Sequence, residues 1–302
     1  MELPAELSLQ NIPELLNKKI FLSEMDLAGI RRNRAFLDKK IASGQTFYGI
    51  NTGFGSLCDV RIPDDELQAL QENLVRSHAC GFGDEVPGAI VKLMLLLKIR
   101  GLAQGYSGIH EDTIQRLVFF YNEDILPVIY EQGSLGASGD LAPLAHLSLP
   151  LIGEGAVYYK NEKQATATVL KMFGLSPLAL HAKEGLALLN GTQFMSSYAV
   201  WSLLKAQRLQ QWSDIIAALS LEAFNGKAEP FLPPIHRLRP HPGQAATAEN
   251  ILLLLEGSAL QRKEKPQVQD PYSFRCVPQV HGATKDVIRN AETVVAIEIN
   301  SV

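Results

Sequence analysis

The stretch 193–223 limits the fold most strongly, because it runs without a single glycine or proline. Apolar residues recur along it at helical spacing, which predicts one long helix with an apolar stripe. That stripe comprises Met195, Ala199, Leu203, Ala206, Leu209 and Ile216. The same reasoning predicts helices at 245–257 and 283–300. The fold class is therefore predicted to be mainly α, with a bundle of long helices in the second half.

The first half of the chain is less regular and carries loops between shorter helices. Ser23, with Asp26 three residues later, predicts a helix start, and residues 156–168 predict a small β-hairpin. Helices are predicted at 23–43, 64–76, 88–103, 110–121, 125–130 and 168–173, a loop or short strand pair at 45–55, and a proline-rich loop at 231–242. The chain is thus divided into an irregular N-terminal region, 1–185, and a central helical bundle, 186–302.

Composition excludes several classes of function. The 302 residues carry a net charge of −4, which gives no electrostatic basis for binding nucleic acid or an anionic membrane. The N-terminal residues lack the pattern of a secretory signal, and the longest apolar run, 93–97, is too short to span a bilayer. We therefore expect a cytoplasmic protein. Cys58, Cys80 and Cys276 form neither a disulfide framework nor a metal-ligand spacing, and no nucleotide-binding motif is present.

The tripeptide Ala137-Ser138-Gly139 is chemically unusual because it can close on itself. The amide nitrogen of Gly139 can attack the carbonyl carbon of Ala137, and loss of water gives a five-membered ring. Loss of the Ser138 hydroxyl as a second water leaves an exocyclic methylene, so that the product is a methylidene-imidazolone. Glycine leaves the attacking nitrogen unhindered, and alanine leaves the attacked carbonyl open. By itself the tripeptide also fits an ordinary loop before a helix cap.

The surrounding sequence favours the chemical interpretation. The run GSLGASGDLAPLAHLSLPLIGEG, 133–155, resembles the signature of the aromatic amino acid ammonia-lyases and aminomutases. FYGINTGFG (47–55), LVRSHACG (74–81), KEGLALLNGTQ (183–193) and VQDPYSFRC (268–276) are similar to further motifs of that family, in the same order. The resemblance implies the methylidene-imidazolone ring as prosthetic group, without metal or nucleotide, and elimination of ammonia as the reaction.

That elimination needs an activated amine, a base for the β-proton and a fixed substrate. The resemblance places the ring at Ala137-Ser138-Gly139, the catalytic base at Tyr48 and a second tyrosine close to the ring at Tyr272. It places Arg275 on the substrate carboxylate, which a guanidinium can bind through two parallel hydrogen bonds.

The resemblance also assigns the side chains that contact the ring and the substrate. Asn190 is expected against the ring and Gln269 beside the substrate. Ser77 and His78 occupy the positions that vary with the substrate side chain, and this pair is similar to that of the members acting on histidine. The implied reaction is the conversion of L-histidine to urocanate. The alternatives are a lyase or aminomutase acting on tyrosine or phenylalanine, an inactive fragment of such an enzyme, and a non-catalytic helical assembly unit.

The resemblance has consequences for assembly. Members of the family form homotetramers packed through long central helices, with active sites shared between subunits, so we expect a homotetramer here. The apolar-rich stretch 287–299 continues almost to Val302, and the family's chains extend well beyond this point. We therefore expect a fragment incomplete at its C-terminal end, lacking a phenylalanine near the ring and a glutamate near the substrate. Alone it should show little or no lyase activity.

Overall fold

Helices dominate the structure, which is a computed structural model describing residues 1–53 and 59–302. The predicted mainly α class is confirmed. The chain divides into two compact units: the first comprises 1–199 with 296–302, and the second comprises 200–295. The division predicted from sequence, at 185/186, remains a prediction.

The first unit combines helices with short strands. Its helices are α1 (Ile12–Leu15), α2 (Glu24–Ala42), α3 (Leu67–His78), α4 (Gly88–Ala103), α5 (Glu111–Asn122), α6 (Leu141–Ser148), α7 (Thr166–Met172), α8 (Glu184–Leu189) and the beginning of α9 (Gln193–Ala223). Its strands are β1 (Phe82–Glu85), β2 (Leu126–Pro127), β3 (Tyr130–Gln132), β4 (Ala156–Tyr159) and β5 (Glu162–Ala165). Short 3₁₀ segments lie at Asp64–Glu66 and Leu149–Ile152.

Local sequence signals account for the two longest helices that lie wholly in this unit. The side chain of Ser23 accepts a hydrogen bond from the Asp26 amide, and Asp26 bonds back to the Ser23 amide, so the predicted start of α2 is confirmed as a capping box. Helix α4 begins directly after Pro87, and eleven of its sixteen residues are buried. The buried residues of α4, apolar except for Lys98, form a large part of the core of this unit.

The strands form two small antiparallel sheets. Strands β1 and β3 pair in one sheet, and β4 lies between β2 and β5 in the other. The predicted hairpin is confirmed, with Tyr159 opposite Glu162 at its turn. The predicted helix at 125–130 is wrong, because β2 and β3 occupy that stretch. Pro127 disfavours helical geometry at Leu126 and donates no hydrogen bond, whereas the next amide, that of Val128, bonds to the Ala156 carbonyl.

Three packed helices bring the ends of separate chain segments together. Helices α3, α6 and α8 contact one another in the first unit. Helix α3 ends at His78, α6 begins just after the Ala-Ser-Gly tripeptide, and α8 ends immediately before Asn190. The segment after α3 also reaches α6, since the Gly81 amide donates to Nε2 of His146 on that helix at 3.0 Å.

The second unit is built on long helices. It contains most of α9, together with α10 (Pro233–Arg237), α11 (Pro242–Leu254), α12 (Tyr272–Arg275) and α13 (Val277–Glu298), whose last residues belong to the first unit. Its core cluster consists of Ala218, Leu221, Phe231, Ala248, Ile251, Leu255 and Val277. The predicted continuous loop at 231–242 is wrong in part, because α10 and a 3₁₀ segment at Glu229–Phe231 form there. Pro233 stands at the first position of α10, where a proline fits a helix.

A buried charge joins three helices of this unit. Asp214 of α9 is 1% exposed and accepts hydrogen bonds from Asn250 of α11 at 2.8 Å and from Lys285 of α13. His281, also on α13, lies 2.9 Å away through Nδ1. Burial opposes ionisation of this carboxyl, but the hydrogen bonds from Lys285, Asn250 and His281 outweigh it and lower the pKa of Asp214.

No helix in the ranges 1–53 and 59–302 combines the length and apolar character needed to cross a lipid bilayer. Cys80 and Cys276 are free thiols, and Cys58 lies outside the described residues.

Candidate active site

The tripeptide Ala137-Ser138-Gly139 lies on an exposed loop that folds back on itself. Isolated β-bridges pair Gly139 with Gly136, with Ala137 and with Gly191 of the segment that follows α8. Gly136 and Gly139 have φ values of +79° and +83°, in the left-handed region that glycine tolerates. The loop therefore already has the tight backbone reversal that attack of the Gly139 nitrogen on the Ala137 carbonyl requires.

Gly139 rests directly on the backbone of Gly191. A Cβ added at Gly139 would lie 2.3 Å from the Gly191 carbonyl oxygen and 2.9 Å from its nitrogen. The next amide, that of Asp140, donates to the same carbonyl at 2.8 Å. Position 139 must therefore be glycine for two independent reasons, its φ and its contact with residue 191.

Asn190 meets the serine of the tripeptide. The Ser138 hydroxyl donates to Oδ1 of Asn190 at 2.8 Å, while Nδ2 of Asn190 donates to the Leu186 carbonyl at 3.0 Å. The second contact fixes the rotation of the amide, so that its oxygen faces Ser138. The structure thus brings together the predicted asparagine and the predicted ring-forming serine, which are 52 positions apart in the sequence.

Ser77 and His78 lie at the C-terminal end of α3. Nδ1 of His78 is 2.9 Å from the Leu74 carbonyl and 3.1 Å from the Ser77 hydroxyl, which itself donates to Leu74. Because a carbonyl only accepts, Nδ1 carries the hydrogen and Nε2 carries the lone pair of the neutral ring. A half-buried acceptor of this kind suits a ligand that presents an N–H group.

Tyr48 lies on a loop held by two buried polar residues. Asn51 accepts from the Phe47 amide at 2.7 Å and donates to the Gln45 carbonyl at 2.8 Å, and Thr52 accepts from the Gly49 amide at 3.1 Å. Tyr48 is 59% exposed on this anchored loop. The last two residues of the predicted motif, Phe54 and Gly55, lie outside the described residues.

The second unit holds the other three predicted residues as one cluster. With the Gln269 amide turned so that its oxygen faces Arg275, Oε1 accepts from Nε and Nη2, each at 2.7 Å. The Arg275 guanidinium carbon lies 4.0 Å from the centre of the Tyr272 ring. Within the part of the chain that the structure describes, no carboxylate forms an ion pair with Arg275, so its positive charge meets only an amide and an aromatic face.

The Arg275 cluster borders a cleft of about 500 Å³ in this unit, also lined by Lys227, Asp270 and Gln279. Asp270 is 3% exposed and fixes the loop by accepting from the Lys227 amide at 2.6 Å and from Gln267 at 2.8 Å. The cleft is lined by two basic and two acidic side chains, and Arg275 is its group suited to binding a small carboxylate.

Sequence reasoning missed two residues that support the tripeptide. Asp140 is 2% exposed and accepts from the Met195 amide near the start of α9 at 3.0 Å. Lys98 is also 2% exposed and donates to the Asn190 carbonyl at 2.9 Å. The available signal for Lys98 was a basic residue directly after the apolar run 93–97. For Asp140 it was an acidic residue directly after the tripeptide.

The residues present fit the ring that the sequence suggests. The loop is reversed at 136–139, Gly139 has space only because it lacks a Cβ, and the leaving hydroxyl of Ser138 is held by Asn190. In 1–53 and 59–302, no group of three or more histidine, cysteine or acidic side chains is arranged to hold a metal ion.

Comparisons with known proteins agree with this geometry. A family model described as aromatic amino acid lyase matches residues 7–302. The chain is 49% identical to a histidine ammonia-lyase of Gloeobacter violaceus over 283 residues, which is 93% of this chain and 55% of that protein. A histidine ammonia-lyase of Geobacillus thermodenitrificans is 47% identical, over 91% of this chain and 55% of its own length.

The chain is also similar to solved structures of ammonia-lyases and aminomutases. A histidine ammonia-lyase from Trypanosoma cruzi aligns over 99% of this chain and 57% of its own, with a TM-score of 0.89 and 36% identity. A phenylalanine aminomutase from Pantoea agglomerans aligns over 100% of this chain and 62% of its own, with a TM-score of 0.93 and 31% identity. The chain spans about half the length of the curated relatives it matches. With the match extending over residues 7–302, the chain belongs to the aromatic amino acid lyase family.

Proposed function

We propose that this chain functions in an ammonia-lyase, an enzyme that here converts L-histidine to urocanate. The observation that carries the proposal is the reversed tripeptide loop, with Ser138 hydrogen-bonded to Asn190 and Gly139 packed on Gly191. The identity to histidine ammonia-lyases supports the substrate.

We propose that the prosthetic ring forms from the backbone itself. The Gly139 nitrogen bonds to the Ala137 carbonyl carbon, and the carbonyl oxygen leaves as water with the hydrogens of the Gly139 and Ser138 amides. The Cα hydrogen and the hydroxyl of Ser138 leave as a second water, which creates the methylene. When formed, the ring supplies an electrophile that turns the substrate amine into a better leaving group. The chain needs no external reactant for these steps.

The remaining roles follow from the chemistry of each side chain. Tyr48 acts as the base that removes the β-proton, and Arg275 binds the substrate carboxylate. Tyr272 and Gln269 hold the guanidinium from its face and its edge without neutralising its charge. Because the Gln269 oxygen occupies the edge formed by Nε and Nη2, a carboxylate binds in two-pronged fashion either at the Nη1/Nη2 edge or after Gln269 turns away.

His78 selects the substrate in this proposal. Its Nε2 lone pair accepts the N–H of the substrate imidazole, and Ser77 steadies Nδ1. Phenylalanine would leave that acceptor unpaired, which costs roughly 1–3 kcal/mol. We expect His78→Leu to lower kcat/KM for L-histidine by about a hundredfold and to improve turnover of phenylalanine or tyrosine.

The test of this function combines modification with a substrate panel. Peptide mass spectrometry should show the 137–139 segment lighter by two water molecules, and Ser138→Ala should abolish that loss. Turnover of L-histidine, L-tyrosine and L-phenylalanine is measured for the chain alone and with the part of the Gloeobacter violaceus relative beyond the matched region. Active protein with an unmodified tripeptide, or much faster turnover of tyrosine than of histidine, would contradict the proposal.

We further propose that the protein works as a homotetramer in the cytoplasm. The proposed assembly is supported by apolar side chains of α9 that are exposed in the second unit, among them Leu209, Trp212, Ile216 and Leu219. Their spacing of three, four and three residues places them on one face of the helix, as in helices that pair with other helices.

A further inference from the structure

Lys98 is an unusual residue for its position. It lies in the largely buried helix α4, between Leu97 and Ile99, which are 3% and 0% exposed. Burying an ammonium group is costly, whereas a methionine of similar length would pack there without that cost. Burial, with a smaller effect from the nearby cation Lys183, lowers the pKa of Lys98 to about 7.

Lys98 makes one hydrogen bond among the residues that the structure describes. Its Nζ donates to the backbone carbonyl of Asn190 at 2.9 Å. Both the ammonium and the neutral amine can donate to a carbonyl, so the contact persists on either side of that pKa.

The contact completes the fixation of Asn190. The amide nitrogen of Asn190 bonds to the Leu186 carbonyl at 3.1 Å, Nδ2 bonds to the same carbonyl at 3.0 Å, and Oδ1 accepts from Ser138. With Lys98 on the carbonyl, each polar group of Asn190 has a partner. The carbonyl is the one group of Asn190 that is held by a side chain from another helix.

The next residue transmits this fixation to the tripeptide. Gly191 contacts Gly139 and accepts from the Asp140 amide, so the orientation of the 190–191 backbone determines where the 137–139 loop can rest. We propose that Lys98 is a positioning residue for ring closure: its hydrogen bond to the Asn190 carbonyl orients the 190–191 backbone on which the 137–139 loop rests. The proposal rests on the function proposed above.

The experiment compares three variants of the whole chain. Lys98→Met removes the donor and keeps length and apolar packing, whereas Lys98→Arg keeps a donor. Leu95→Met, one helical turn away and fully buried, is the matched control for repacking of α4. Two quantities are measured: the fraction of the 137–139 peptide that has lost two waters, and hydrogen exchange of the Asp140 amide.

For Lys98→Met we expect a folded protein in which exchange at Asp140 is about tenfold faster, the effect of losing one hydrogen bond, and in which ring formation drops at least as much. Leu95→Met should match the wild type, and Lys98→Arg should restore most of both signals. A folded Lys98→Met protein with wild-type exchange and ring content would overturn the proposal.

Failure to fold is also informative. If Lys98→Met does not fold, the test uses Lys98→Arg. A folded Lys98→Arg protein with wild-type exchange at Asp140 and wild-type ring content supports the proposal, and loss of both overturns it. Unfolding of both variants would place Lys98 in the general stability of α4 and overturn the positioning role. If the wild type itself has no ring, the proposed function fails, while the exchange comparison still tests the contact between Lys98 and Asn190.

Discussion

The candidate site depends on single atoms at a few positions. Gly139 has no room for a Cβ, Asn190 is held at each of its polar groups, and Lys98 is buried to reach one carbonyl. The capacity of Ala-Ser-Gly for ring closure can be inferred from sequence because the three reacting residues are adjacent, and ring formation itself stays a prediction. The contacts of Asp140 and Lys98 could not be inferred in this way, because their partners lie 55 and 92 positions away and no local pattern encodes such a pair.

Two glycines of the same loop provide a matched test of the contact at residue 191. Gly139→Ala places a methyl group against the Gly191 carbonyl, whereas the methyl group of Gly136→Ala would have no neighbouring atom within 4 Å. The two positions have similar positive φ values. Backbone strain is therefore common to the two variants. We expect Gly139→Ala to abolish ring formation and Gly136→Ala to retain most of it, as read by peptide mass. Equal loss in both would show that strain alone decides.

The buried amine of Lys98 makes stability depend on pH. Its pKa is about 7 in the folded protein, against an unperturbed value of 10.5. Between these values the unfolded chain binds the proton and the folded protein does not, so the free energy of unfolding rises with pH through this window. Below it, the folded protein bears the full cost of a buried ammonium.

Removing the amine should remove that dependence. The difference in melting temperature, Lys98→Met minus wild type, should be largest near about pH 6 and should decrease toward about pH 9. Thermal unfolding across this range is the measurement, with Leu95→Met as the control that follows the wild-type curve. Parallel curves for wild type and Lys98→Met would contradict the lowered pKa.

At the scale of helices and strands, sequence patterns succeeded where one local signal dominated. The Ser23/Asp26 capping box, the apolar α4 and the uninterrupted α9 were all predictable. The helix predicted at 125–130 is wrong because the apolar residues of this stretch fit a buried strand as well as a helix, and the choice depends on pairing of β2 with β4 and of β3 with β1. The prolines at 231–242 predict a loop, but proline is equally suited to the first turn of a helix, which is where Pro233 stands in α10.

Asp214 offers a test of how α9, α11 and α13 are held together. Asp214→Asn removes the buried carboxylate and leaves the partly buried Lys285 ammonium without its counter-charge, which should lower the free energy of unfolding by roughly 3 kcal/mol. Urea unfolding measures the change, and Glu249→Gln, an exposed charge removal on α11, is the control.

The pH dependence of that effect has a definite sign. Folding lowers the pKa of Asp214. Its carboxylate therefore contributes fully to the free energy of unfolding above the pKa of the unfolded chain, and this contribution is lost as the pH falls through the pKa of the folded protein. The stability gap between wild type and Asp214→Asn should therefore narrow under acid conditions. A gap that stays constant down to strongly acidic pH would contradict the lowered pKa.

For the whole molecule, the exposed apolar residues of α9 depart from the pattern of a solvated helix. The stripe predicted from sequence is buried at Leu203 but 68% exposed at Leu209 and 57% exposed at Ile216. An apolar face of this length favours association with another helix. Sequence periodicity identified the stripe but could not distinguish contact within the chain from contact between chains.

The proposed assembly can be tested by adding charge to that face. Trp212→Glu should shift the protein toward smaller species in analytical ultracentrifugation, because a carboxylate buried in a helix interface is unpaired. Gln211→Glu, on an exposed position of the same helix, should leave the assembly unchanged. An identical distribution of species for Trp212→Glu and the wild type would contradict a role of α9 in association.

If the proposed ring forms, the reversed loop at 136–139 also determines how the protein becomes active over its lifetime. A dissociable cofactor can be replaced when it is lost, whereas a ring built from the backbone is made once in each chain and consumes the serine that made it. Ring closure is thus a one-time commitment, and a chain whose loop misfolds has no second source of the electrophile. The amount of working protein in a cell would then follow the yield of correct folding around Gly139 and Gly191, independently of any cofactor supply.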